Sequence, residues 1–110
     1  MNRRKKGLKI EEIVCEYLKK EGYEIIERNF YCGKYGEIDI IAKKDDFTIF
    51  IEVRSLNKLE PYYTISYEKL KRLENCIDYY VLQNGVENYR FEVIIFNKGR
   101  IIHLKEFQNF

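Results

Sequence analysis

The chain has 110 residues, of which 45% are hydrophobic, and a formal net charge of +2 at pH 7. This length supports one domain over residues 1–110 and is too short for two cores, and we expect residues 1–7 to form a flexible basic N-terminus. The net charge is too small to indicate by itself whether the protein binds nucleic acid. No apolar run approaches the roughly 20 residues of a membrane span, so we expect a cytoplasmic protein without a membrane segment.

The cysteines and the single histidine show no metal-binding pattern. Cys15, Cys32 and Cys76 lack metal-type spacing, their number is odd, and no signal peptide precedes them. This usage predicts reduced thiols in a cytoplasm. His103 has no Cys or His partner at ligand spacing, so we expect a structural role for it.

Residues 8–20 predict the first helix, which Gly22 ends. Its apolar stripe consists of Ile10, Ile13, Val14, Tyr17 and Leu18. On a helical wheel, Glu11 lies at the edge of this stripe and Glu12 lies on the solvent side. We therefore expect Glu11, rather than Glu12, to face the protein.

Three strands are predicted next. Residues 23–31 form the first, and the loop of residues 32–36 leads into two strands whose side chains alternate with period two. In the second strand, one face carries Ile38, Ile40 and Ala42, and the other carries Glu37, Asp39 and Ile41. In the third strand, one face carries Phe47, Ile49, Ile51 and Val53, and the other carries Thr48, Phe50, Glu52 and Arg54.

The second half of the chain predicts one helix and two strands. A loop of residues 55–65 is followed by a helix from about Tyr67 to Leu82, with Ser66 as its N-cap and Asn84-Gly85 after it. Residues 89–96 and 100–107 predict the last two strands. The order α-β-β-β-α-β-β indicates an α/β fold, in which a mixed sheet has a helix on each face or end.

The acidic residues of two strands fall opposite each other if Asp45-Asp46 forms a two-residue turn. Asp39 then lies opposite Glu52, and Glu37 lies opposite Arg54. Opposed Cβ atoms in an antiparallel pair are about 4.5–5.5 Å apart, so two carboxylates repel unless one is protonated or a cation lies between them. A divalent ion that prefers oxygen ligands, such as Mg²⁺, is the simplest such cation.

Part of this pattern also fits an ordinary structural role. Glu37 opposite Arg54 is equally an ion pair on a solvated sheet face. Asp39 is harder to explain in this way, because Asp is a poor strand residue and a second carboxylate opposite it adds repulsion. From the pattern alone, both a structural role and a metal or catalytic site at Asp39 and Glu52 stay open, and a family resemblance decides for the site.

The chain resembles the PD-(D/E)xK nuclease superfamily, and more closely the YraN-like uncharacterised family of predicted endonucleases. The central match is Gly36-Glu37-Ile38-Asp39 followed by Phe50-Ile51-Glu52-Val53-Arg54. Further matches, in the same order along the chain, are Glu11, Tyr17-Leu18, Gly22-Tyr23, Asn29, Lys69, Arg72-Leu73 and Arg90-Phe91-Glu92-Val93. Two departures stand out: Arg54 replaces the superfamily's usual Lys, which the YraN-like pattern itself accepts, and Glu92 replaces an Asp.

The resemblance implies a restriction-endonuclease-like fold, similar to that of archaeal Holliday junction resolvases, and hydrolysis of DNA with Mg²⁺ or Mn²⁺. The implied metal ligands are Asp39, Glu52 and the carbonyl of Val53. The implied catalytic residues are Asp39, Glu52, Arg54, Glu37 and Glu11. We expect nucleic-acid contacts from Lys34, Arg54, Lys69 and Arg72. A homodimer follows only by analogy with resolvases that act as dimers on branched DNA.

Arg54 limits what this arrangement can do. A guanidinium stays protonated at any working pH, so Arg54 can hold a phosphate but cannot act as a base. Two other classes of function therefore stay open. One is a nucleic-acid-binding or scaffolding domain that keeps the fold without cleaving, and the other is a protein-interaction module.

Overall fold

Two helices and five strands make up the described part of the chain, which comprises residues 3–55 and 66–105 of a computed structural model. In chain order they are α1 (Arg3–Lys20), β1 (Glu24–Tyr31), β2 (Glu37–Lys44), β3 (Phe47–Ser55), α2 (Tyr67–Asn84), β4 (Tyr89–Asn97) and β5 (Arg100–Leu104). A short 3-10 helix, Gly33–Tyr35, lies between β1 and β2. The predicted order of helices and strands is confirmed.

The five strands form one mixed sheet in the order β1-β2-β3-β4-β5. Neighbouring strands are antiparallel except β3 and β4, which are parallel. A parallel pair needs a crossover connection, and α2 lies within it. The β2–β3 connection is the predicted two-residue turn, because Lys44 pairs with Phe47. Asp45 adopts a φ of 56° there, which suits the tight turns of hairpins.

One helix covers each face of the sheet, and each helix has its own apolar cluster. The α1 cluster includes Val14 and Leu18 from the helix and Ile49 and Ile51 from β3. The α2 cluster contains Leu73, Cys76, Ile77 and Tyr80 from the helix, together with Phe50 and Ile41 from the sheet. The alternation predicted for β3 is confirmed by this division.

The alternation predicted for β2 fails at its start. Ile38 and Ile40 were expected on one face, but Ile38 packs in the α2 cluster and Ile40 in the α1 cluster. Side chains two residues apart share a face only in a regular strand. The residue between them is Asp39, so β2 departs from regular geometry there.

The helix ends differ modestly from the prediction. α1 begins at Arg3 rather than at residue 8, because Arg and Lys are good helix formers and an interior Gly7 is tolerated at about 1 kcal/mol. The helix therefore extends through most of the segment that we expected to be flexible. α2 has the predicted N-cap at Ser66 and ends at Asn84 before a left-handed Gly85. The predicted loop at 55–65 and the end of the last strand lie largely outside the described residues.

Cys32 and Cys76 form a disulfide, so the prediction of three reduced thiols is wrong for two of them. Their separation of 44 residues gave no sign of the pairing, because chain spacing does not report which thiols meet in the fold. The Cα atoms lie 5.8 Å apart, which is the usual distance for a disulfide. Cys15 is a buried free thiol, and burial raises its pKa.

Neither helix, over its described residues, has the length and apolar character needed to cross a membrane.

Candidate active site

β2 and β3 separate at the point where the predicted acidic pair begins. Their antiparallel pairing keeps the predicted register as far as Ile40 and Ile51. Asp39 and Glu52 are the next residues on the two strands, just beyond this last pair. β3 continues past this point by pairing with β4, so the two carboxylates lie where the sheet opens between β2 and β3.

Asp39 lies in surroundings that favour its neutral form. Its Oδ2 accepts a hydrogen bond from the main-chain N–H of Val53 at 2.8 Å. Burial, and next the negative charge of Glu52, raise the pKa of Asp39 to about 8, although the Val53 N–H acts in the opposite direction. A carboxyl group with this pKa takes up a proton or a cation near neutral pH. Such a group in a cavity is a candidate for function.

Glu52 is only 6% exposed, and α2 supplies its ionic partner. The Glu52 Oε1 lies 3.2 Å from the Nζ of Lys69. Lys69 is in the first turn of α2, where its main-chain N–H donates to the Oγ of the N-cap Ser66 at 3.2 Å. The contact therefore joins the start of α2 to the acidic pair.

A cavity of about 340 Å³ opens beside the two carboxylates. Its walls are formed by the segment before β2, the sheet and α2, through Tyr35, Gly36, Glu37, Asp39, Glu52, Lys69, Arg72 and Leu73. A larger opening of about 590 Å³ lies near Tyr80 and Asn84, but none of the charged side chains that line it is buried. Of these two openings, the smaller one brings together the buried Glu52, the half-buried Asp39 and a cation, as far as the described residues show.

The other two predicted strand residues, Glu37 and Arg54, lie in different surroundings. Glu37 lines the cavity, and its charge contributes to the raised pKa of Asp39. The strand pairing ends before the predicted opposition of Glu37 and Arg54. Arg54 is half-buried on β3, beside Ile95 of β4, and is not among the described residues that line the cavity. Lys69, for which the sequence predicted nucleic-acid contact alone, is a basic side chain that contacts Glu52.

Glu11 has the predicted orientation on α1. It is half-buried and Glu12 is exposed, so the helix phase is confirmed. The Glu11 Oε1 accepts hydrogen bonds from Arg28 at 3.4 Å and from Asn29 at 3.3 Å, both on β1. Its charge also contributes to the raised pKa of Asp39. Glu11 therefore acts on the acidic pair through its field, while its hydrogen bonds tie α1 to β1.

The basic residues predicted for nucleic-acid contact surround this cavity in part. Lys69 and Arg72, the third and sixth residues of α2, line it. Lys34 is exposed in the 3-10 helix, with its Nζ 5.4 Å from the ring centre of the cavity residue Tyr35. These three positive charges lie on the same side of the sheet as the acidic pair.

The disulfide joins the segment before β2 to α2, and both of these contribute residues to the walls of the same cavity. Cys32 directly precedes the 3-10 helix that leads to Glu37, and Cys76 is one helical turn after Arg72 on α2. The bond therefore links the segment that carries one wall to the helix that carries the other. Sequence reasoning gave no signal for it, because only the fold brings the two thiols together.

The donor atoms at the cavity suit a hard cation such as Mg²⁺. Across residues 3–55 and 66–105, no three side chains of His, Cys, Asp or Glu converge as a metal-binding group. Mg²⁺ does not require three, because it keeps several waters and is commonly held by one or two carboxylates. Two converging carboxylates, one with a strongly raised pKa, meet that requirement.

Comparison with known proteins identifies the family. The model of the uncharacterised protein family UPF0102 matches residues 10–96. The chain belongs to this family. A UPF0102 protein of Helicobacter hepaticus is 42% identical over 100 residues, which are 90% of each chain. UPF0102 proteins of Helicobacter pylori and Campylobacter fetus are 43% and 38% identical, and the matches cover 88% and 86% of this chain and 85% and 86% of theirs.

A solved structure shows the fold of this family member. Hjc, a Holliday junction resolvase from the archaeon Archaeoglobus fulgidus, matches 88% of this chain and 73% of its own with a TM-score of 0.61. The sequences are 19% identical. The chain thus has the restriction-endonuclease-like fold, as the YraN-like resemblance implied.

Proposed function

We propose that this chain is a metal-dependent nuclease that hydrolyses phosphodiester bonds in DNA. The observation that carries this proposal is the convergence of two carboxylates, Asp39 and Glu52, on one cavity that also presents a cation. Such a group of charges suits a phosphodiester and its metal ion. The likeness to a Holliday junction resolvase supports the same class of substrate, and branched or nicked DNA is the form that we propose.

Asp39, Glu52 and the carbonyl of Val53 would hold the metal. When bound, Mg²⁺ or Mn²⁺ would supply a Lewis acid that acidifies water and offsets charge on the phosphate. Asp39 enters this role by losing the proton that its raised pKa favours. The Val53 N–H holds Asp39 in place through its hydrogen bond, so the side chain needs little reorganisation.

The remaining residues would handle the water and the phosphate. Glu37 lines the cavity, and it would be the carboxylate that takes a proton from the attacking water. Glu11 would act from further away, through a water or through its field at Asp39. Arg54 would hold a phosphate oxygen with its guanidinium and cannot take the proton.

The DNA backbone would lie across the basic residues around the cavity, Lys34, Lys69 and Arg72, together with Arg54. Phosphate contacts of this kind make binding strongly dependent on salt. Resolution of a branched junction needs two cuts, so a homodimer acting in the cytoplasm belongs to the same proposal.

Cleavage assays with Glu52→Gln test the proposal. Purified protein is incubated with nicked, branched, flapped and single-stranded DNA in Mg²⁺ or Mn²⁺. We expect metal-dependent cleavage by the native chain and none by Glu52→Gln, because the amide cannot replace a charged ligand. Glu74→Gln is the matched control, since Glu74 pairs with the exposed Lys71 on the outside of α2 and should leave cleavage unchanged.

Arg54 separates the proposal from a second candidate function. Because Arg54 stands where the superfamily has Lys and cannot act as a base, a DNA-binding domain that no longer cleaves is the alternative. Arg54→Lys should retain or raise cleavage, and Arg54→Ala should lose cleavage but keep metal binding. If no substrate is cut while binding remains sensitive to salt, the non-catalytic function replaces the nuclease. If no DNA is bound either, a protein-interaction module is the remaining class.

A further inference from the structure

Lys69 stands at a position that helix stability does not explain. It lies in the first turn of α2, where the helix dipole favours negative side chains and disfavours positive ones. The neighbouring Glu68 follows that preference. The Lys69 side chain instead reaches across to the sheet and meets Glu52 at 3.2 Å. The contact with Glu52 is therefore the reason that the structure offers for a positive charge there.

The contact between Lys69 and Glu52 compensates negative charge in the cavity. Among residues 3–55 and 66–105, three carboxylates line it, from Glu37, Asp39 and Glu52, against two basic side chains, from Lys69 and Arg72. Glu52 is the most buried of the three and cannot rely on water to stabilise its charge. The Lys69 ammonium, whose side chain is one-third exposed, supplies that stabilisation and still reaches solvent.

The same carboxylate oxygens are needed for a divalent ion. An ammonium and a divalent cation on one carboxylate repel each other, so binding of the ion has to move Lys69 away from Glu52. The lysine side chain is long, has several rotatable bonds and is partly exposed, so it can move without unfolding α2. Once released, its ammonium remains at a cavity that would receive a phosphate.

We propose that Lys69 is an exchangeable counter-cation of this site: it neutralises Glu52 in the metal-free protein, competes with the divalent ion for Glu52, and is freed by metal binding to contact phosphate. This inference rests on the proposed metal site at Asp39 and Glu52. It adds the group that neutralises Glu52 in the metal-free protein. It also makes Lys69 of α2 a basic residue of the site, in addition to Arg54, the basic residue of the strand motif.

Metal titration of Lys69→Met tests the competition. Methionine keeps the length and apolar part of the side chain and removes its charge. We expect Mn²⁺ and Mg²⁺ to bind about two- to tenfold more tightly to Lys69→Met than to the native chain in isothermal titration calorimetry, because the competing charge of a partly exposed pair is gone. Lys69→Arg keeps the charge and should bind metal with native affinity.

Lys71→Met is the matched control. Lys71 lies two residues further along α2, is exposed, and pairs with Glu74 at 3.9 Å away from the cavity. It reports what the loss of one positive charge on this helix does in general. In metal-free buffer containing a chelator, we expect Lys69→Met to melt at a lower temperature than Lys71→Met, because only the former leaves Glu52 without its ammonium.

The outcomes distinguish a failure of the Lys69 exchange from a failure of the proposed metal site. If Lys69→Met binds metal no more tightly than Lys71→Met while the native chain binds normally, the exchange is overturned and the metal site stands. Weaker metal binding by Lys69→Met would also overturn it, since Lys69 would then hold Glu52 in place for the metal. If no variant and no native protein binds either ion, the metal site itself is wrong, and the exchange is refuted with it.

Discussion

Buried carboxylates lie on both faces of the sheet, and the two faces satisfy them in opposite ways. On the α1 side, Glu92 is 1% exposed and its Oε1 accepts from Tyr23 at 2.8 Å and contacts the His103 Nε2 at 2.7 Å. The chain of contacts continues from the His103 Nδ1 to the Tyr17 hydroxyl at 2.9 Å. Burial and the bond to Glu92 raise the pKa of Tyr23, so its hydroxyl stays a donor.

The carboxylates on the α2 side are compensated differently. Asp39 and Glu52 face each other, and they are compensated by the Val53 N–H and by a lysine that is itself partly exposed. The cavity beside them is about 340 Å³, whereas the one that Glu92 lines is about 80 Å³. Burial of a carboxylate therefore does not by itself indicate a functional site. Glu92 has internal partners and stabilises the fold, whereas the Asp39–Glu52 pair lies beside a larger cavity and includes a carboxyl with a raised pKa.

We expect the largest loss of stability when the hydrogen-bonded network of Glu92, Tyr23, His103 and Tyr17 is broken. Glu92→Leu removes an acceptor shared by two buried groups and leaves the Tyr23 and His103 donors without it, so we expect the free energy of unfolding to fall by about 3–5 kcal/mol. Urea denaturation measures this change. Glu92→Gln, which keeps an acceptor oxygen, should lose less. A loss below about 1 kcal/mol for Glu92→Leu would mean that the network contributes little, and the comparison between the faces would fail.

The second prediction concerns the disulfide, which crosses the α2 side alone. Reduction of Cys32–Cys76 with a dithiol should lower the free energy of unfolding by about 2–4 kcal/mol, because a closed loop restricts the unfolded chain. Cys76→Ser should reproduce this loss and make the protein insensitive to reductant. Cys15→Ser is the control, since Cys15 is a free thiol and its variant should respond to reductant as the native chain does. A native protein whose melting temperature ignores reductant would argue against the pairing.

The third prediction tests which carboxylates bind metal. At 100 times its dissociation constant, Mg²⁺ or Mn²⁺ should raise the free energy of unfolding by about 2.7 kcal/mol. Asp39→Asn should abolish this gain, because it removes a charged ligand, yet its amide oxygen can still accept from the Val53 N–H. Glu92→Gln on the other face should keep the gain. Equal shifts for native protein and Asp39→Asn, measured by thermal melting with and without chelator, would exclude Asp39 as a ligand.

The fourth prediction follows from the raised pKa of Asp39. Its ordinary value is 3.8 and its value in the fold is about 8, so the metal-free folded state holds an extra proton between these pH values. Stability due to this group is therefore fully present below about pH 4 and is lost as pH rises toward 8. Metal must displace the same proton, so affinity should rise up to about tenfold per pH unit until about pH 8.

Asp39→Asn sharpens this last comparison. In chelator, the variant should melt above the native protein, and the difference should be larger at pH 9 than at pH 6, where the native Asp39 is already neutral. Melting curves from pH 5 to pH 9 measure it. A constant difference at all pH values would show that Asp39 does not carry the proton.

Much of the site followed from local sequence. The period-two alternation of β3 and the two-residue turn at Asp45-Asp46 fixed the register, because slipping it by one residue would move every apolar side chain to the wrong face. That register placed Asp39 beside Glu52 without any knowledge of the rest of the fold. The wheel position of Glu11 and the caps of α2 were equally local, and the structure agrees with them.

The tertiary structure alone decided how the pair is compensated. The pairing of β2 with β3 ends before Asp39, Lys69 approaches Glu52 from α2, and the Cys32–Cys76 bond joins residues 44 apart in the chain. The same holds for the hydrogen bond from Tyr23 to Glu92, which joins residues 69 apart in the chain. Hydrophobic periodicity determines which face of an element is buried, but it carries no information on which charged or sulfur-bearing ends meet once those faces pack together.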